Sequence, residues 1–126
     1  MGVRLDLVGL VVRDMGASLR FYRHLGFDIP KEADLEGHVE VTLPGGVRFA
    51  WDTLEVIRSF DPQFELHPRP AGAFLCNSPD EVDRVYAELV GAGYRGHKPP
   101  WDAFWGQRYA QVLDPNGNIV DLFASL

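Results

Sequence analysis

Asp114-Pro115-Asn116-Gly117, followed by Asn118-Ile119-Val120-Asp121-Leu122-Phe123, is the stretch whose reading decides the fold. The first four residues are a strong turn signal, and the apolar run after them reads as a strand. Arg108–Leu113 precedes the turn with a second run of strand character, so the two form a β-hairpin. Upstream, Ser78-Pro79-Asp80-Glu81 is a capping box with proline at the first helical position. Val82, Val85, Tyr86 and Leu89 then recur at helical spacing, and Gly91 and Gly93 stop the helix. Before it, Gly72–Cys76 reads as a strand. The plan is strand, helix, hairpin.

The first half of the chain follows the same plan. Within Arg4–Val12 both the odd and the even positions are largely apolar, the pattern of a strand covered on both sides. Asp14 is placed to cap a helix over Gly16–Leu25, and Gly26 to end it. Val39–Leu43, the turn Pro44-Gly45-Gly46 and Val47–Asp52 form a hairpin with one dry face. The plan recurs after about 65 residues, longer than a solenoid repeat and suited to one duplicated module. Module one covers about 1–55 and module two about 71–126, within a single domain. Between them, Thr53–Pro70, with Pro62, Pro68 and Pro70, reads as an extended connector.

Bulk properties narrow the function. The 126 residues fit one domain that folds without a disulfide or metal staple. A net charge of −6 argues against a phosphate-tracking nucleic-acid binder and suits a neutral or cationic ligand. The lone Cys76 forms no internal disulfide. No signal peptide and no run long enough to span a membrane is legible, so a cytoplasmic protein without membrane contact is expected. No phosphate-binding loop or nucleophile elbow is present.

Aromatic and charged residues mark the candidate site. Trp101-Asp102-Ala103-Phe104-Trp105 places three aromatic side chains in five residues after Pro99-Pro100, in what reads as a loop. Such clusters mark ligand clamps or oligomer surfaces. Trp51 lies mid-hairpin beside Asp52 and is expected near a pocket, whereas Phe49 reads as core. Alternation sends one of Arg108 and Tyr109 inward and the other outward, and either suits a ligand oxygen. Asp52 and Asp121 are candidates to pair with a ligand amine. His38, at a strand start, completes the candidate ligand-binding set of Trp51, Asp52, His38, Trp101, Phe104, Trp105, Arg108, Tyr109 and Asp121.

These motifs resemble those of the vicinal oxygen chelate superfamily, which includes glyoxalases, extradiol dioxygenases and bleomycin-resistance-type binding proteins. The resemblance rests on Val11-Val12-Arg13-Asp14, Ser18 to Tyr22 with Leu25-Gly26-Phe27, Ser78 to Leu89 with Gly93-Tyr94, and Asp114 through Leu122. Arg48–Thr53 and Trp105–Ala110 are similar to the corresponding segments of drug-binding resistance proteins of the mitomycin and bleomycin type. The resemblance implies an α+β fold of two βαβββ-type modules, forming a curved mixed sheet with a concave cleft, and a homodimer.

Metal-using members of that superfamily carry a His on the first strand of each module and a Glu on the last. By that resemblance the four positions here are Leu7, Ala50, Ala71 and Asp121. One carboxylate out of four is a poor chelate, so neither a metal nor any other cofactor is expected, and no catalytic residue is assigned. The expected function is metal-free sequestration of a planar or aromatic small molecule, of the antibiotic-resistance type. The alternative is an enzyme of the same superfamily, either a metal-dependent lyase or dioxygenase with unusual ligands or a metal-free isomerase with Asp121 or Asp52 as general base.

Overall fold

A computed structural model describes residues 2–126 of the chain. The chain divides into two compact units, one up to His67 and one from Pro68 onward. Each is a mixed β-sheet with helices, as the sequence predicts for an α+β protein.

The first unit contains β1 (Leu7–Val12), α1 (Met15–His24), a 3₁₀ turn (Lys31–Leu35), β2 (His38–Thr42), β3 (Arg48–Thr53) and α2 (Leu54–Phe60). Its three strands lie in the order β1-β3-β2, with β1 parallel and β2 antiparallel to β3. Asp14 caps α1 as predicted, its carboxylate accepting a hydrogen bond from Ala17 N at 3.1 Å. Gly26 follows the helix at φ +99°, a conformation that favours glycine. The face of the sheet toward α1 packs an aromatic core. Tyr22 of α1 lies 5.7 Å from Phe49 and 5.4 Å from Trp51, ring centre to ring centre, and Phe27 joins both.

The second unit contains β4 (Pro70–Leu75), α3 (Pro79–Gly91), β5 (Gly96–Ala103), β6 (Gln107–Leu113) and β7 (Ile119–Ser125), a complete βαβββ module. The strand order is β4-β7-β6-β5, with β4 parallel to β7 and the other pairs antiparallel. Ser78 Oγ accepts from Glu81 N at 3.1 Å, as the capping box predicts. Helix α3 lies against β5, β6 and β7. Val82 and Leu89 of α3 are fully buried with Ala110, Val112, Val120 and Leu122. The β6–β7 turn is organised by the buried Asp114, whose Oδ1 accepts from the backbone of Asn116 and Asn118.

Two elements differ from the sequence reading. The connector expected to be extended holds α2, started by Thr53, whose hydroxyl accepts from Val56 N at 3.2 Å. One good cap suffices for a two-turn helix that the neighbouring prolines lie beyond. The segment read as a loop, Trp101–Trp105, begins inside strand β5, which runs to Ala103, and only Phe104 and Trp105 lie in the turn. Proline is tolerated in β5 because it is an edge strand, and its register with β6 shifts between Lys98 and Trp101, where Pro99 and Pro100 lie. Among the described residues, no helix is long and apolar enough to cross a membrane.

Candidate functional site

Strand alternation sorts seven of the nine predicted residues onto opposite sheet faces, and Phe104 and Trp105 lie in the turn between β5 and β6. In the second unit, Tyr109 of β6 pairs with Phe123 of β7 on one side and Trp101 of β5 on the other. These three rings form a row across the sheet face turned away from α3. Tyr109 lies 6.0 Å from Phe123, stacked, and 5.5 Å from Trp101, edge to face. Trp105, in the tight turn after β5, closes on the row at 5.3 Å from Tyr109 and 6.0 Å from Trp101. Its indole N–H donates to Gln107 Oε1 at 2.8 Å, which fixes the ring orientation. Phe104 stands at the tip, 96% exposed, edge-on to Trp105. Trp105 is 48% exposed, so the row presents open aromatic surface.

A second, polar row runs beside the first. Asp121 of β7 pairs with Gln111 of β6, which pairs with Lys98 of β5. The bulge at Pro99-Pro100 brings Lys98 and Trp101 onto the same side, and the Lys98 ammonium lies 4.2 Å from the centre of the Trp101 ring. Asp121 Oδ2 accepts from the Tyr109 hydroxyl at 2.5 Å, and Oδ1 accepts from Gln111 Nε2 at 2.9 Å. Burial, and the bond to Asp121, push the Tyr109 phenol up to about 12, so it remains a neutral donor through the physiological range.

Arg108 does not join this face. Alternation turns it toward α3, where Nε donates to Asp83 Oδ1 at 2.9 Å and Nη1 to Asp102 Oδ1 at 3.1 Å. It clamps helix to sheet on the face opposite the aromatic row. Trp51 is also corrected. It is fully buried on the α1 side of the first unit's sheet, and its Nε1 has no hydrogen-bond partner among the described residues. Its neighbour Asp52 points the opposite way, because adjacent residues on a strand face opposite sides.

His38 and Asp52 meet on the face away from α1, where they are paired across strands. His38 Nδ1 lies 2.6 Å from Asp52 Oδ1, and Nε2 lies 2.8 Å from Glu40 Oε2. Glu40 also accepts from Arg48, which reaches Asp6. The hydrogen bond to Glu40 first, and then that to Asp52, raises the His38 imidazole above its ordinary range. With a carboxylate at each nitrogen, the imidazolium is the form that satisfies both bonds.

The donor set does not fit a divalent metal ion. Ala50 and Ala71 are buried methyl groups, Leu7 is aliphatic, and both Asp121 oxygens accept bonds from neutral donors. The two carboxylates beside His38 occupy opposite edges of the ring, so the three groups do not converge on one point. Among the described residues, no group of three or more His, Cys, Asp or Glu side chains could hold a metal ion.

Lys98, Gln111, Gln107 and Phe123 were not legible as site residues from the sequence. The signal was parity: Gln107 and Gln111 flank Tyr109 at two-residue spacing, and Phe123 lies two beyond Asp121. A separate open cavity of about 330 Å³ lies near the starts of α1 and α2, lined by Arg13, Met15, Gly37, Thr53 and Val56 among others. It holds none of the predicted site residues.

Comparison with known proteins gives the same fold. A crystal structure of a glyoxalase/bleomycin resistance protein/dioxygenase family enzyme from Burkholderia phytofirmans PsJN superposes with a TM-score of 0.77 at 18% identity, over 98% of this chain and 100% of that one. A glyoxalase/bleomycin resistance protein/dioxygenase from Nocardioides has a TM-score of 0.70 at 28% identity, over 100% of this chain and 85% of that one. A protein described as oxidase ChaP-H2 has a TM-score of 0.65 at 23% identity, over 100% of this chain and 96% of that one. No curated protein matches the chain. The family model for the glyoxalase/bleomycin resistance protein/dioxygenase superfamily matches residues 4–122, and the chain belongs to that superfamily.

Proposed function

We propose that the protein binds and sequesters a planar aromatic small molecule without a metal ion, in the manner of a drug-binding resistance protein of the mitomycin or bleomycin type. The observation that carries this reading is the aromatic row on the face away from α3. Trp101, Tyr109 and Phe123 span three adjacent strands, and Trp105 and Phe104 extend the apolar surface beyond the sheet edge. Strands lie about 4.8 Å apart, so the row is about 10 Å wide, the breadth of a fused-ring system. Exposed rings held in fixed orientation serve a ligand well, because little side-chain freedom is lost on binding. Gln111 and Asp121, beside the rings, supply polar contacts that orient what stacks there.

The test is titration of the protein with mitomycin-, bleomycin- and quinone-type compounds while tryptophan emission is followed. Trp101 and Trp105 should be quenched on binding, whereas the buried Trp51 should respond little. The bound compound should be recovered chemically unchanged. Absence of quenching by every class would reject the reading, and recovery of a transformed product would replace sequestration with catalysis.

A further inference from the structure

The chemistry of the ligand can be narrowed further, on the basis of the binding reading above. Asp121 is a part-buried carboxylate bonded to Tyr109, the central ring of the aromatic row, and its two bonds come from Tyr109 and Gln111, both neutral. No cationic side chain forms an ion pair with it among the described residues. The nearest cation along its row, Lys98, is two strands away, about 10 Å by strand spacing, and lies over the Trp101 ring instead. The other charged residues of the aromatic segment, Asp102 and Arg108, pair with each other, and Arg108 is further held by Asp83 on the α3 side. Asp121 is therefore a carboxylate held by two neutral donors and, among the described residues, without a cationic partner. The position of Lys98 makes a second, independent point: the indole face of Trp101 accepts an ammonium group.

We infer that the ligand class of this face is a flat aromatic cation, with its ring on Trp101, Trp105 and Tyr109 and its protonated nitrogen against Asp121. A cation there completes the ion pair and gains from the electron-rich ring faces, and the displaced Lys98 side chain is free to move into water. A flat anion meets the Asp121 charge and is disfavoured.

The test compares three probes that share one ring system, by isothermal titration calorimetry at pH 8. These are 9-aminoacridine, which is cationic, acridine, which is neutral, and acridine-9-carboxylate, which is anionic. The expected order is cation, then neutral, then anion, with the cation at least about tenfold tighter than acridine. Asp121→Asn should bring the cation to within about threefold of acridine, both measured on that variant. If Asp121→Asn does not fold, as judged by circular dichroism, the order of the three probes on the unmodified protein decides. Equal binding of the cation and acridine, or a preference for the cation that survives in Asp121→Asn, would overturn the inference and leave the aromatic platform standing. Failure of all three to bind would remove the platform as well.

Discussion

The two units are built alike on one face of their sheets and differ on the other. In each, the side packed against the long helix is apolar: Tyr22, Phe49 and Trp51 in the first unit, Val82, Leu89, Val112 and Leu122 in the second. On the opposite side, the first unit carries an ionic ladder of Asp52, His38, Glu40, Arg48 and Asp6. The second carries Trp101, Trp105, Tyr109 and Phe123. The helix-covered faces answer to packing, which rewards close apolar fit and little else. The other faces are free to diverge. Exposed ion pairs contribute little to stability once water screens them, whereas exposed aromatic rings leave apolar surface in water that only a ligand or partner removes. The contrast is what supports the proposed binding on the second unit's face.

The sharpest way to break this contrast is to exchange the roles of its tryptophans. Trp51 belongs to packing, so Trp51→Ala should cost about 3–5 kcal/mol of stability in urea unfolding, a large share of the roughly 5–15 kcal/mol that holds a domain together. Trp51→Phe should cost markedly less, because it also removes an indole N–H that is buried without a partner. If Trp51→Ala left the unfolding midpoint unchanged, Trp51 would not be the core residue that its burial indicates.

Trp105 belongs to the other class. Trp105→Ala removes edge-to-face contacts to Trp101, Tyr109 and Phe104 at a half-exposed site. Its loss should weaken binding of an aromatic probe by roughly two- to tenfold, the equivalent of about 0.5–1.5 kcal/mol of ring contact. The unfolding midpoint should move far less than in Trp51→Ala. A variant that unfolded readily but bound normally, once corrected for the folded fraction, would place Trp105 with packing instead.

The different fates of these tryptophans show what the sequence made legible. Elements specified by neighbours in the chain were readable, because the bonds that define them span two to four residues: the Asp14 cap, the Ser78 capping box and the Asp114 turn. Helix α2 was hidden because its cap, Thr53, sits at the end of a strand and only seven helical residues follow. Strand β5 was hidden because its pairing depends on β6 and on a bulge that absorbs two prolines, neither of which local pattern reveals. For the site, alternation was the usable signal. It correctly set Arg108 and Tyr109 on opposite faces and equally opposed Trp51 to Asp52. Which face each helix would cover depended on packing beyond the strand itself.

The smallest expected effect sharpens the other half of the comparison. His38 is held by Glu40 and Asp52, which raise it above its ordinary 6.5, and Glu40 is lowered from 4.5 chiefly by its bond to His38. A raised imidazole stabilises the fold fully below 6.5, and that contribution is lost as pH rises through the raised value. A lowered carboxyl stabilises it above 4.5, and that contribution is lost as pH falls through the lowered value. Both are complete between pH 4.5 and 6.5. Because the His38 side chain is 46% exposed, the change in stability should be slight and should shrink as salt is added. The direct measurement is NMR titration of the His38 ring, which should give a midpoint above 6.5 that falls in Asp52→Asn and falls again in Asp52→Asn/Glu40→Gln. A midpoint at or below 6.5 in the unmodified protein would show that the ladder does not hold the imidazolium, and the charged half of the contrast would lose its basis.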